Sequence, residues 1–180
     1  MTGICVGSLQ LQLIERNCIT RPKRRIVQPL PPTNRLSPKN QVTLPREAAA
    51  LAGGPPHLRA LPHHMPGRRD RTLFHPVVVL MTEDGLRRRE RLIINDTTIV
   101  SADKTVLVQE LNAGAVPLAI DDQRRVVVPA HLVDYLVLKR DALFVPTADL
   151  IYLWNPDEFR RWQEAVPPAG GLDLSRFIIV

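Results

Sequence analysis

Residues 36–46 read Leu-Ser-Pro-Lys-Asn-Gln-Val-Thr-Leu-Pro-Arg, and residues 120–130 read Ile-Asp-Asp-Gln-Arg-Arg-Val-Val-Val-Pro-Ala. The second stretch begins 84 residues after the first. Each passes from a polar turn through three strand formers to a proline, and then into helix-forming sequence. An internal repeat of this kind decides the fold before any other feature. In the first copy Ser37 opens the turn, Pro38 presets φ and Asn40 tolerates the left-handed conformation. Val42-Thr43-Leu44 favour a strand. Pro45 fits the first helical position, where no N–H is missed. Residues 46–52 have high helix propensity, and Gly53-Gly54 stop the helix. In the second copy residues 121–125 form the turn, 126–128 the strand, Pro129 starts a helix, and 130–138 continue it.

One copy, about 45 residues long, buries too little surface to be stable alone. Two copies in one chain can interleave and share a core, which sets their two turns side by side. The expected fold is mainly β with short helices: a swapped-hairpin barrel formed by two internal repeats. The expected division is 1–33 (strand and basic arm), 34–115 (first repeat with an inserted loop), 116–166 (second repeat with a closing helix) and 167–180 (linker and apolar tail).

Outside the repeated phrase the signals are mixed. Residues 8–13 alternate polar and apolar, as a half-buried strand does. Val77–Met81 read as a buried strand, Glu83-Asp84-Gly85 as a hairpin turn, and 86–94 as the returning strand. Further short strands are expected at 98–101 and 105–109. A hairpin with a turn at Ala148-Asp149 joins 142–145 to 149–154. Asn155-Pro156-Asp157-Glu158 opens a helix, with an Asn cap, Pro at the first position and Glu three residues after the cap. Phe159, Trp162 and Val166 then form one apolar stripe. Residues 167–171 read as a linker, and the apolar 177–180 should dock on the core or on a neighbouring subunit.

Seventeen prolines break the chain into short elements and argue against a helical bundle. Charge is unevenly spread. Residues 1–91 hold sixteen Lys/Arg against six Asp/Glu, whereas the remainder is net acidic. A basic half suits a polyanion such as nucleic acid, or is simply a charged surface. Residues 16–25, with Arg21, Lys23, Arg24 and Arg25, read as an extended arm along phosphates or as a solvated linker. The Arg cluster at 87–91 could hold phosphate or decorate a hairpin end.

Two cysteines make no disulfide framework and suit a reducing cytosol. No apolar run approaches the ~20 residues of a membrane span, and no secretion signal is visible. The expected location is the cytoplasm, with the nucleoid. Residues 53–72 read as a basic loop. His57, His63, His64 and His75 lie in or near it, but their spacing matches no closed metal site. With no paired carboxylates, nucleophile elbow or phosphate-cradling loop, no enzyme chemistry and no cofactor are expected.

Leu36 to Glu47 closely resembles the opening motif of AbrB/MazE/SpoVT DNA-binding domains, which are swapped-hairpin barrels that bind DNA with that end of the fold. The second copy resembles the C-terminal repeat of the MraZ branch: Asp121 and Arg125 match its Asp-x-x-x-Arg motif. Leu153-Trp154-Asn155-Pro156-Asp157-Glu158 is similar to the MraZ strand that leads into the last helix. The likeness covers roughly 34–53 and 116–165. Ser37 and Gln41 stand where MraZ would place Asp and Arg. Asn40 replaces a usual Gly, and Arg124 replaces the second Gly, which implies strain in that turn.

The resemblance implies an oligomeric DNA-binding regulator. Phosphate contacts would come from Arg21, Lys23, Arg24, Arg25, Arg35 and Lys39, and Arg46 is a further DNA-binding candidate. Asn40, Gln41, Arg124 and Arg125 would add positioning or base readout. Asp121 and Arg125 either lock the turn as an ion pair or present the arginine to DNA. The competing reading is an antitoxin-like protein that binds a toxin partner and regulates its own operon.

Overall fold

The computed structural model describes residues 30–51, 57–67 and 70–164. The strand expected at 8–13, the basic arm, Gly53-Gly54, Val166, the linker and the apolar tail lie outside them.

Thirteen elements follow one another among the described residues. The first repeat supplies β1 (Thr33–Arg35), β2 (Gln41–Thr43), α1 (Arg46–Leu51), β3 (His57–Pro66), β4 (Phe74–Met81) and α2 (Glu83–Asn95). After α3 (Ser101–Gly114), the second supplies β5 (Val116–Ala119), β6 (Arg125–Val127), α4 (Ala130–Tyr135), β7 (Asp141–Pro146), β8 (Ile151–Trp154) and α5 (Pro156–Glu164). Six strands form an antiparallel sheet in the order β1-β7-β8-β4-β3-β5, and β2 and β6 form a separate ribbon. The sheet curls into a half-barrel.

The order reads the same from both edges. At the centre β4 meets β8, with Val79 opposite Tyr152. At the edges the repeats exchange strands. Arg35 of β1 lies opposite Asp141 of β7, and Ala119 of β5 lies opposite His57 of β3. Shifting the first pair by 84 residues gives the second, so a pseudo-two-fold axis relates the repeats. Neither repeat completes its own sheet.

The core lies between the concave face and the ribbon. Val42, Leu44, Val126 and Val128 from the ribbon side pack with Leu58, Ala60, Val78, Leu80, Ala142, Phe144, Ile151 and Leu153. Equivalent positions carry unequal side chains: Ala48 against Leu132, Leu58 against Ala142, Ala60 against Phe144. Large residues in one repeat offset small ones in the other, which fills a shared interior without overpacking. The convex face is covered too. Phe159 of α5 packs with Val77, Leu143 and Trp154, and Leu86 of α2 packs with Val79, Met81 and Ala115. Burial on both faces explains the unbroken apolar run in β4.

Four expectations are corrected. Residues 57–66, read as part of a loop, are strand β3. Leu58 and Ala60 alternate inward. Pro62 and Pro66 are tolerated because β5 reaches only as far as Ala60, leaving β3 an edge strand beyond it.

Residues 83–95, read as a turn and a returning strand, are helix α2. The Thr82 hydroxyl accepts a hydrogen bond from Gly85 N at 3.0 Å, and Glu83 and Asp84 occupy the first turn. These are helix-start signals. Gly85 is there for close packing rather than for a turn, since a Cβ would sit 3.2 Å from that of Met81. Residues 98–100, expected with Ser101 as a strand, are a turn, and the strand expected at 105–109 is replaced by helix α3, whose β-branched Val106 and Val108 imitate strand alternation. Helix α4 stops at Tyr135, short of the expected 138.

The hairpin β7–β8 forms as expected. Its loop is closed by Thr147 N donating to Leu150 O at 2.7 Å. Asn155 caps α5, its Oδ1 accepting from Asp157 N at 2.9 Å.

Candidate nucleic-acid interface

The repeated phrase folds into two loops with one backbone design. In the first, Asn40 N donates to Ser37 O (2.9 Å) and Ser37 N to Gln41 O (2.8 Å). In the second, Arg124 N donates to Asp121 O (2.8 Å) and Asp121 N to Arg125 O (3.0 Å). Both are type I turns closed by a left-handed residue, a common three-residue hairpin connection. That residue is Asn40 (φ 56°) in one loop and Arg124 (φ 61°) in the other. The strain expected at Arg124 is therefore present: Asn accepts this conformation readily, and a long unbranched cation less so.

The side chain opening each loop braces it. Ser37 Oγ accepts from Gln41 N at 3.0 Å and from Lys39 N at 3.3 Å. Asp121 Oδ1 accepts from Gln123 N at 2.9 Å and from Arg125 N at 2.8 Å, and Oδ2 accepts from Arg125 Nε at 2.7 Å. The Arg125 N–H, with help from its side chain and from Gln123, holds the Asp121 carboxyl below the usual carboxylate range. Asp121 thus locks the turn as an ion pair, the first of the two readings. It fixes the turn and it orients the guanidinium. Arg125 keeps its terminal nitrogens free of other hydrogen bonds among the described residues.

The loops are brought together by β2 and β6, which pair antiparallel: Gln41 opposite Val127, Val42 opposite Val126, Thr43 opposite Arg125. Two further bonds extend the ribbon symmetrically. Leu44 N donates to Arg124 O and Val128 N donates to Asn40 O, both at 2.8 Å. With Val42 and Val126 buried, strand alternation turns Gln41, Thr43, Arg125 and Val127 to the other face. Lys39 is exposed on its loop. Arg35 on β1 and Arg46 at the start of α1 are exposed at either end of the first copy. Arg24 and Arg25 lie outside the described residues.

Thr43 and Val127 were missed among the site candidates. The signal lies in the burial pattern: in Gln41-Val42-Thr43 and Arg125-Val126-Val127 the buried central valine turns both neighbours outward. Val137 was also missed. It adopts φ 52° just after α4, and Asn155 Nδ2 donates to the carbonyls of Leu136 and Val137 there. By the 84-residue shift its counterpart is Gly53, so only the first repeat has the residue such a position favours.

Other candidates are dispersed. His57, His63 and His64 are on β3, and the His64 ring stands edge-on to Tyr135. His75 is buried on β4, its Nδ1 sharing a 2.6 Å hydrogen bond with Glu158 Oε1. Among the described residues, no three His, Cys, Asp or Glu side chains gather as a metal-binding group. In the Arg cluster, Arg88 and Arg89 pair with Asp149 at 3.5 and 3.1 Å, tying α2 to the β7–β8 loop. A cleft of about 800 Å³ includes Lys139 and Arg140 in its lining. Its wall also carries Arg160 and Arg161, paired with Asp157 and Glu158, and Asp141.

With the loops, the exchanged strands and the Asp121–Arg125 brace in place, the comparison with known families is specific. Residues 111–167 match the family described as "MraZ protein, putative antitoxin-like". The second repeat is similar to that family. The match spans the whole of that repeat, from β5 to α5, and the pseudo-two-fold axis relates the unmatched half of this MraZ/AbrB-like chain to it. No curated protein matches the chain. Among the described residues no helix is long and apolar enough to cross a membrane.

Proposed function

We propose that this MraZ-like protein is a DNA-binding transcriptional regulator that grips duplex DNA with the outward face of the β2–β6 ribbon. The observation that supports this reading is the pairing of both loops through one ribbon, with Arg125 held by Asp121 among other outward polar side chains. A two-stranded ribbon fits the major groove of B-DNA, where arginine and glutamine recognise guanine and adenine edges. In this reading Arg125 and Gln41 read bases, while Asn40 and Arg124 position the loops. Lys39, Arg35 and Arg46, with Arg24 and Arg25 of the arm, contact phosphates. The protein works as an oligomer, so that repeated DNA boxes are bound by avidity. It needs no cofactor or catalytic chemistry, and its place is the cytoplasmic nucleoid.

The test is binding of the full chain to the duplex upstream of its own gene, and to an unrelated duplex, at two salt concentrations. The expected result is preference for the first duplex and an affinity that falls steeply with salt. Equal binding to both would reduce the protein to a non-specific DNA coat, and no binding to either would end the DNA reading. The family description favours a second reading, an antitoxin-like protein, which requires a small protein partner to co-purify with the chain.

A further inference from the structure

The two repeats part company just after α4. The 84-residue shift sets Val137-Leu138-Lys139-Arg140 against Gly53-Gly54-Pro55-Pro56. The second repeat thus has a branched side chain and two cations where the first has glycine and proline. Val137 keeps φ 52°, a region in which a β-branched residue is strained. Strained positions persist only where their surroundings impose them, and they gather at ligand clamps and switches. Here Asn155 imposes it. Its Nδ2 donates to the carbonyls of Leu136 and Val137 at 3.1 and 2.8 Å, and its Oδ1 accepts from Asp157 N. Val137, 62% exposed, is thereby held in the wall of the 800 Å³ cleft with Lys139 and Arg140.

The cleft has the size of a small-molecule site, and Leu30, Pro31 and Pro76 join Val137 as its apolar walls. Its charges do not cancel once the existing pairs are set aside. Asp157 already holds Arg160 at 2.8 Å. Both oxygens of Glu158 are engaged, one by His75 at 2.6 Å and the other by Arg161 at 2.9 Å. Each of these two arginines commits one terminal nitrogen to its carboxylate, which leaves the rest of its donor fork open. Lys139 and Arg140 make no ion pair among the described residues, and Asp141 is the uncommitted carboxylate left in the lining. The surplus is therefore cationic, beside apolar walls.

We propose that this cleft binds a small phosphorylated molecule with an apolar or aromatic body, of nucleotide size. Lys139 and Arg140 take the phosphate through charge-assisted hydrogen bonds, and the open forks of Arg160 and Arg161 add to them. The prolines and Val137 pack on the body, a contact that glycine at position 137 would not provide. Asn155 is a positioning residue, since its amide is occupied in holding the wall. A DNA backbone would meet the cations but leave the apolar walls unfilled. The cleft shares no residue with the β2–β6 ribbon, so the proposal stands whether or not the ribbon binds DNA.

The experiment is calorimetric titration of the full chain with ADP, adenosine and inorganic phosphate, with circular dichroism as the check on folding. ADP should bind at one site per chain, more tightly than adenosine or phosphate alone. Lys139→Ala/Arg140→Ala should weaken ADP binding by roughly tenfold or more, the effect of removing hydrogen bonds to a charged group. Val137→Gly should melt at a higher temperature, its strain released, and yet bind ADP more weakly. Absence of saturable ADP binding, or ADP binding unchanged in either variant, would overturn the proposal. Phosphate that binds as tightly as ADP would reduce the cleft to an anion patch, and ADP displaced by an unrelated duplex would give the cleft to the DNA backbone. Either result also overturns it.

Discussion

The loops Ser37–Gln41 and Asp121–Arg125 share their turn, their closing hydrogen bonds and their left-handed fourth residue. They differ in what stands at the first and fifth positions. A serine hydroxyl braces one loop and leaves Gln41 neutral. A carboxylate braces the other and takes hold of the Arg125 side chain as well. The backbone plan thus comes from the repeat, and the chemistry from the departures within it. A symmetric scaffold here carries an asymmetric surface, with a neutral amide from one repeat and an oriented guanidinium from the other.

The deepest way to break this comparison is in the core, where the repeats are complementary rather than alike. Phe144 is fully enclosed, and its equivalent is Ala60. Phe144→Ala would leave alanine at both positions, and should cost about 3–5 kcal/mol. Denaturant unfolding measures this directly. A loss below about 1 kcal/mol would mean that Ala60 and Phe144 do not fill one shared interior.

On the surface, Arg125→Ala should weaken specific DNA binding by about 1–3 kcal/mol, or roughly 5- to 150-fold, with little change in stability. Gln41→Ala should cost less, because its loop holds no side chain in place. Fluorescence anisotropy at fixed salt compares the two. Equal losses would make the surface symmetric in function despite its chemistry.

Much of this plan was legible in the sequence. The 84-residue shift, the Ser-Pro and Asp-Asp turns and the prolines that start α1 and α4 are local signals, and all formed where they stood. What was not legible depended on tertiary packing. The Asp84-Gly85 dipeptide spells a hairpin, but Gly85 is buried against Met81 and the hydroxyl of Thr82 had already started a helix. Val106 and Val108 spell a strand, but the sheet ends at β5 and offers them no partner. Pro62 argued against a strand because β3's becoming an edge beyond Ala60 is a property of β5. In the site, Gln41 and Arg125 could be read from their motifs, whereas their neighbours Thr43 and Val127 needed the observed burial of Val42 and Val126.

Acid should separate the loops next. The Asp121 carboxyl titrates below its unfolded value, so its contribution to stability is complete above the unfolded pKa and is lost as pH falls through the lower folded one. The first loop, braced by a hydroxyl, has no such titration. Amide shifts of Gln123 and Arg125 should therefore move at acid pH while those of Lys39 and Gln41 stay in place. Parallel movement in both loops would assign the change to general unfolding.

The smallest effect concerns the left-handed residues. Asn40 sits comfortably at φ 56°, because its short polar side chain tolerates that region. Arg124 at φ 61° does not have that advantage. Arg124→Gly should therefore stabilise the fold by up to about 1 kcal/mol, relief of left-handed strain outweighing the greater freedom of glycine when unfolded. Asn40→Gly should come close to neutral. If Arg124→Gly also weakens DNA binding, the strain is kept for the sake of the cation. A thermal melt and a binding isotherm on the same variant separate the two effects, and a variant that is more stable and binds DNA as before would leave Arg124 without a role in the surface.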